Sequence, residues 1–342
     1  MGNYSTNGGI IGACNTPTDS KKVTSFTSSG CFNRTMPTGT AIVIAGGGGG
    51  SWGGAGAGGV LVVECHPFPS CAVPITIGAG GAAETAGNCD KGGHGNDSVW
   101  GGPAPLTALK GMGGGGQNSD AVAPLSGGVY GSGGGAGLGG NPAEVGKGTH
   151  PGPFGGCTPV YQGSPGGRSA TKGAGGGGAC NKGQGQGNGG VCGAGNGGQG
   201  RDLTPLGVPT CLGDSGFFGG GGQAGSTGNP GNASSVMRAL TDKSSYLGKR
   251  TPGGGGTGQQ GSPTVHTICG YKSPTNKAGS ANTGGGGGGG MFSGEAPYGQ
   301  DASGGAGGSG VVIAIECVAG TKAKSGIYSM GAQYVLATRS AW

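Results

Sequence analysis

Unbroken blocks of glycine recur along this chain, at Gly46 to Gly50, Gly113 to Gly116, Gly175 to Gly178, Gly219 to Gly222, Gly253 to Gly256 and Gly284 to Gly290. They restrict how it can fold more than any other feature. Glycine has no side chain to pack and loses more conformational freedom on ordering than any other residue. At roughly 0.5 to 1 kcal/mol each beyond alanine, the 98 glycines among 342 residues carry an extra ordering cost on the order of 50 to 100 kcal/mol. Only backbone groups that saturate one another's hydrogen bonds could offset it. The chain is therefore either a flexible polymer or a protein in which main chains pack directly on main chains.

Order is the expected outcome. Flexible linkers and disordered tails are monotonous or highly charged, whereas this chain is 9% charged and sets 11 Cys, 3 Trp and recurring aliphatic segments between its glycine blocks. Apolar residues make up 32%, so an aliphatic core is expected only near the two ends. The glycine-rich texture runs from about Gly46 to Gly310 and favours one long domain with distinct ends. The formal net charge of +6 comes from 19 basic and 13 acidic residues, with no basic run longer than a pair such as Lys21-Lys22 or Lys249-Arg250. Such scatter reads as solvated surface charge, and no nucleic-acid partner is expected. The longest aliphatic stretches, Val60 to Val63 and Val311 to Ile315, are too short to span a membrane. The start, MGNYSTNGGIIGAC, lacks the basic and apolar regions of a secretory signal, so the chain is expected to stay in the cell or to leave by lysis. Met1 to Thr6 match a loose myristoylation pattern with Gly2 as acceptor, which reads as chance in so Gly/Ser-rich a chain.

The cysteine count is odd and no C-x-x-C occurs, so no metal site or redox motif is expected. Cys65 and Cys71 bracket HPFPS, and Cys180 and Cys192 bracket a glycine-rich segment; both pairs are candidate disulfides, with buried free thiols as the alternative.

Residues 1–21 form a polar lead segment. Strands are expected within 23–77, at Val23 to Phe32, Thr40 to Ala45, Val60 to Cys65 and Ala72 to Ile77, and Pro74 places the last of these at a sheet edge. From 78 to 310 glycine and proline would break any long helix, and glycine blocks alternate with segments of bulkier chemistry. A strong strand closes the region at 311–318, and an extension, 320–342, follows. Collagen is excluded, because glycine does not recur strictly at every third position. Extended threefold helices of glycine fit better, since they expose N–H and C=O groups radially and neighbours can hydrogen-bond from several sides. Where such helices are packed on all sides any side chain is expected to clash; at the rim Ala, Ser, Asn or larger residues are allowed.

Four stretches carry a resemblance: Val23 to Val63, PITIGAGG with GNDSVWGG (Pro74 to Gly81, Gly95 to Gly102), ANTGGGGGGG (Ala281 to Gly290) and GGAGGSGVVIAIECV (Gly304 to Val318). In this order they resemble the glycine-rich domain of phage tail-fibre and other virion proteins, over about residues 22–319. The resemblance implies a mostly irregular and all-β fold, a bundle of polyglycine II-type helices capped by short antiparallel strands. It implies a rigid frame from which variable loops reach a host cell. The cysteine content and the extension past Val318 depart from the family's pattern.

No enzymatic constellation emerges. His66, His94, His150 and His266 lack dependable partners, G-x-G-x-x-G matches mean little in this composition, and the phosphate-loop ending never occurs. Asp214, Glu295 and Asp301 read as solvated loop charges. Aromatic residues outside the longest glycine runs are the candidate receptor contacts: Trp100, Tyr130, Phe154, Tyr161, Phe217, Phe218, Tyr246, Tyr271, Phe292 and Tyr298. Lids lying flat on glycine layers are the alternative role for them. The expected function is that of a non-enzymatic virion structural protein without cofactor, assembled in the host cytoplasm and placed in a tail fibre or surface appendage. Its expected partners are other virion proteins, a host-surface glycan or protein, and copies of itself, as in a trimer. A purely architectural decoration protein and an ice-binding protein are the alternatives.

Overall fold

The computed structural model describes residues 21–84, 91–116, 130–137, 162–167, 173–185, 195–225, 252–257, 277–290 and 303–317. Among these the strands are β1 (Lys21–Phe26), β2 (Gly30–Phe32), β3 (Thr38–Ile44), β4 (Val60–Pro67), β5 (Val73–Thr76), β6 (Ser98–Trp100), β7 (Leu106–Ala108), β8 (Arg201–Asp202), β9 (Phe217–Phe218) and β10 (Val311–Cys317). The only helical element among the described residues is a 3-10 turn, Thr204–Leu206. All pairings are antiparallel: one sheet runs β1-β10-β3-β4, a second β2-β5-β6-β7, and β8 pairs with β9.

The first sheet is buried on both faces, which is why its strands read as continuous aliphatic runs rather than as alternating patterns. One face sets Phe26, Val43, Leu61 and Val312 against Phe32, Phe68, Ile75 and Trp100 of the second sheet and its loops. The other sets Val23, Ile42, Val60, Ile313 and Ile315 against Leu203, Val208 and Phe218. The side-chain core thus lies where the early strands meet β10, with Val23 opposite Ile315 and Ile313 opposite Ile42.

Two strand expectations are corrected. Val23 to Phe32 is not one strand: the chain bends at Thr27 to Ser29, and β1 and β2 enter different sheets. Pro74 does not mark an edge, because β5 pairs with both β2 and β6. Its carbonyl accepts from Gly101 N–H at 2.8 Å, so its missing donor points to the same side, past Trp100 where β6 has ended. The proline thus forgoes one bond, to Gly101 O, at the very end of the β5–β6 ladder.

The remaining described segments are extended glycine-rich chains whose backbone bonds rotate from neighbour to neighbour. Gly46 and Gly49 donate to segment 91–97, Gly47 and Gly50 to segment 303–310, and Gly48 and Ser51 to segment 53–59. Their carbonyls rotate likewise: those of Gly46 and Gly49 accept from 111–116, those of Gly47 and Gly50 from 78–84, and those of Gly48 and Ser51 from 284–290. The surrounding segments close a ring, since 91–97 bonds 78–84, which bonds 303–310, then 284–290, 53–59, 111–116 and back to 91–97. The same rotation recurs in 173–179, whose Ala174 and Gly177 donate to 130–137, Gly175 and Gly178 to 181–185, and Gly176 and Ala179 to 219–225.

This packing explains the demand for glycine. A Cβ on Gly49, Gly92, Gly113 or Gly225 would lie 1.8 Å from a neighbour's carbonyl oxygen. Backbone conformation is a separate demand, met within the glycine segments only near their starts, as at Gly219 (φ 70°) and Gly284 (φ 68°). The expectation that a segment packed on all sides excludes every side chain is corrected by Ala55 and Ala57, which are 0% exposed inside segment 53–59. Between them Gly56 must stay bare, because a Cβ there would meet Ser132 O at 2.3 Å. Exclusion operates residue by residue.

Candidate functional site

The strands and the glycine segments join end to end, which gives the molecule a polarity. β3, β5, β7 and β9 lead into segments 45–50, 77–84, 109–116 and 219–225, while segments 53–59, 91–97, 195–200 and 303–310 lead back into β4, β6, β8 and β10. The sheets therefore occupy one end of the array, and Lys21 and Cys317, opposite each other in the β1–β10 ladder, lie there too.

At the other end the chain reverses through Ser51 to Gly53, and further segment ends gather beside that turn. Ser51 Oγ donates to the Glu84 carboxylate, Gly53 N–H donates to Gly115 O at 2.9 Å, and Gly225 N–H donates to Trp52 O at 3.1 Å. The bonds Gly167 N to Gly175 O at 2.8 Å, Gly195 N to Gly173 O at 3.1 Å and Gly288 N to Lys277 O at 2.7 Å align the other segment ends with these. Glu84, Gly116, Gly137, Gly167, Gly185, Gly225, Thr257 and Gly290 are the last described residues before intervening stretches, and all lie toward this end. The bulkier intervening stretches thus leave from the end opposite the sheets, and those that resume at Tyr130, Gln162 and Pro252 rejoin the array beside the strands, where Gln162 O accepts from Val60 N–H at 2.9 Å and Pro252 O from Gly200 N–H at 2.8 Å.

The candidate contact residues that the structure describes do not form an exposed aromatic surface. Trp100 and Phe218 are fully buried and Tyr130 is 8% exposed. Trp100 stacks on Phe68 at 5.2 Å and meets Phe32 at 5.0 Å, and Phe218 belongs to the core beneath β8 and β9. These are corrections: Trp100 and Phe218 stabilise the sheets, and Tyr130 packs on His94 at the flank of the glycine segments with ring centroids 4.9 Å apart. Phe217 alone retains partial exposure. Phe154, Tyr161, Tyr246, Tyr271, Phe292 and Tyr298 lie outside the described residues.

Sequence reasoning missed a set of polar side chains that complete the array where no carbonyl is supplied. Gly113 N–H donates to His94 Nδ1 at 3.0 Å, Gly78 N–H to Ser98 Oγ at 2.9 Å, and Lys110 N–H to Asp97 Oδ1 at 2.7 Å. Leu109 N–H donates to Gln162 Oε1 at 2.8 Å, and Gly285 N–H to Thr283 Oγ1 at 3.1 Å. Asp214, expected to be a solvated charge, accepts from Gly253 N–H at 3.2 Å. The signal available in sequence is a solitary polar residue inside a glycine run, as His94 stands between Gly93 and Gly95.

Burial, then the Lys110 and Lys91 cations, lowers the pKa of His94 below its ordinary value, and burial raises that of Tyr130. Burial also lowers the pKa of His66, whose Nε2 has no hydrogen-bond partner and whose ring lies edge-on to Trp100 at 5.7 Å. At the sheet end Glu316, fully buried, accepts through Oε1 from Thr35 N–H, Thr35 Oγ1 and Met36 N–H. Its Oε2 lies 3.1 Å from Lys22 Nζ as an ion pair without hydrogen-bond geometry.

Cys65 and Cys71 are free and exposed, so the HPFPS loop is not closed by a disulfide. Hydrogen bonds hold it instead: Phe68 N–H donates to Pro37 O at 2.8 Å and Arg34 Nη1 to Phe68 O at 2.6 Å. Cys180 is disulfide-bonded, as is Cys211, while Cys192 lies outside the described residues. Among the described residues no cluster of His, Cys, Asp and Glu could hold a metal ion, and no helix is long and apolar enough to cross a membrane. No protein-family model matches the chain, and no curated protein matches its sequence.

Proposed function

We propose that the protein is a virion structural component of a tail fibre or surface appendage, and that it contributes to host attachment. In this reading the glycine segments are polyglycine II-type helices in a hexagonal bundle, capped by the sheets. The rotation of hydrogen bonds at every third residue and the closed ring around segment 46–50 support that geometry. The attachment role rests on polarity: the sheets lie at one end, and the residues that flank 85–90, 168–172, 186–194, 258–276 and 291–302 lie at the other. A frame cemented by backbone bonds holds such stretches at little entropic cost on binding. The sheet end faces other virion proteins or further copies of the chain, and a host-surface glycan or protein meets the loops.

The test replaces residues 258–276, which begin and end at the loop-bearing end, by a Gly/Ser linker of equal length in assembled particles. Adsorption to host cells is expected to fall while particle yield and the unfolding midpoint of the isolated protein hold. Unchanged adsorption by this variant and by particles lacking the protein altogether would refute attachment. Failure of the isolated protein to compete for adsorption, with particles lost when it is absent, would favour the architectural role.

One observation favours ice binding as a second reading. Ala79, Ala82, Ala306, Ala278 and Ala281 are exposed on three segments bonded side by side, Gly307 N to Gly81 O at 2.8 Å and Gly279 N to Ala306 O at 2.8 Å. Thermal hysteresis of the purified protein decides between the two.

A further inference from the structure

We propose that His94 is a pH-operated latch on the flank of the glycine array, holding segment 91–97 on 111–116 and covering the start of 130–137. This depends on the array's geometry and not on the attachment reading. Gly113 N–H, which belongs to a segment otherwise bonded backbone to backbone, donates to His94 Nδ1 at 3.0 Å. Only an unprotonated Nδ1 can accept, so the neutral ring carries its proton on Nε2, 3.4 Å from Tyr130 Oη. The two rings lie 4.9 Å apart at 48°, and Tyr130 is buried beneath this contact.

Of the side chains that complete the array, His94 is the imidazole, whose accepting nitrogen is lost when the ring takes up a proton as pH falls. Protonated, it sets N–H against N–H and becomes a cation beside two others. The charged and titratable groups around it are Lys110 from 109–116, Tyr130 from 130–137, Glu84 from 78–84, and Lys91 and Asp97 from its own segment; segment 45–50 contributes none. Glu84 is engaged by Ser51 and Asp97 by Lys110 N–H at 2.7 Å, and the charges that act on His94, Lys110 and Lys91, both disfavour an imidazolium. The protonated ring leaves, Gly113 loses its acceptor and Tyr130 its cover.

The direction in pH follows from the lowered folded-state value. The unfolded chain binds the proton first, so the latch's contribution is complete above the ordinary histidine value of 6.5. It is lost as pH falls from there through the folded-state value, and falls no further below it.

Amide hydrogen exchange of the full-length protein, corrected for intrinsic rates and followed by mass spectrometry from pH 7.5 to 5.0, tests the latch. Peptides covering 108–116 and 130–137 are expected to exchange about tenfold faster at the acidic end, the effect of one stranded donor. In His94→Gln, whose amide oxygen accepts without titrating, that dependence should vanish. In Lys110→Gln its midpoint should move up. His66 titrates in the same direction, so a peptide from β4 is the control. A flat profile in the parent, an unchanged profile in His94→Gln, or equal loosening of β4 would each overturn the proposal.

Discussion

Gly92 and Gly93 are consecutive residues of one segment, and alanine at each separates close packing from backbone freedom as the reason for glycine. Neither has φ in the left-handed region, so alanine fits both backbones and restricts the unfolded chain equally, a gain of about 0.4 to 1 kcal/mol. Their surroundings differ sharply. A Cβ on Gly92 would stand 1.8 Å from Gly49 O and 2.6 Å from its carbonyl carbon, whereas on Gly93 the nearest atoms are Ala82 N at 3.1 Å and Ala82 O at 3.2 Å. Ordinary contact at roughly 3.5 Å requires the Gly49 carbonyl to retreat by about 1.7 Å. That oxygen accepts from Gly114 N–H at 3.0 Å, and Gly49 N–H donates to Gly93 O at 2.8 Å, so a retreat breaks the first bond and strains the second. A stranded buried donor costs about 1 to 3 kcal/mol and overpacking about 1 to 3 more. Less the chain-entropy gain, Gly92→Ala should lose roughly 2 to 5 kcal/mol, and Gly93→Ala should stay within about 1 kcal/mol of the parent. Denaturant unfolding of the full-length proteins, or inactivation half-lives if unfolding is irreversible, measures both. Equal shifts, or no loss in Gly92→Ala, would mean that carbonyl proximity is not what demands glycine.

Two further outcomes concern the sheet end and the cysteines. Glu316→Ala strands Lys22 and the donors of Thr35 and Met36, so a loss of about 3 to 5 kcal/mol in unfolding free energy is expected. Lys22→Met leaves the carboxylate its bonds from Thr35 and Met36 and should lose less; the reverse ranking would refute the assignment. Cys180→Ser and Cys211→Ser should each lower stability under non-reducing conditions by about 2 to 4 kcal/mol. Exposed, free Cys31 and Cys71 should tolerate serine to within about 0.5 kcal/mol, and equal losses at all of these positions would contradict the disulfide-bonded state of Cys180 and Cys211.

The sheets were the legible part of the fold. TAIVIA, VLVVEC and VVIAIECV carry aliphatic runs too continuous for a half-solvated strand, and they became β3, β4 and β10 with both faces covered. Trp100 was misread because its cover comes from afar: Phe32 lies in β2, Phe68 beyond β4 and His66 within β4. A residue outside the glycine runs looked exposed for want of local neighbours. His94 was passed over for a related reason, since its partner is a backbone amide, and an amide leaves no trace in sequence.

What glycine blocks cannot specify is which block lies beside which, or in what register. Because bond directions repeat at every third residue, segment 284–290 could slide by three residues past 46–50 and still bond toward the same neighbours. Featureless segments are prone to such slippage. Register must therefore come from outside the glycine. Gly284 follows Thr283, whose hydroxyl accepts from Gly285 N–H at 3.1 Å, and its φ of 68° sets where the extended run begins. Segment 45–50 is pinned by β3, where Ile44 opposes Val60 and Val311, and segment 111–116 by His94. Backbone bonds hold the array together, while a small number of side chains at its ends and flanks choose one arrangement among many of equal bonding. Substitutions at those side chains should therefore broaden the ensemble of registers before they lower the strength of the array.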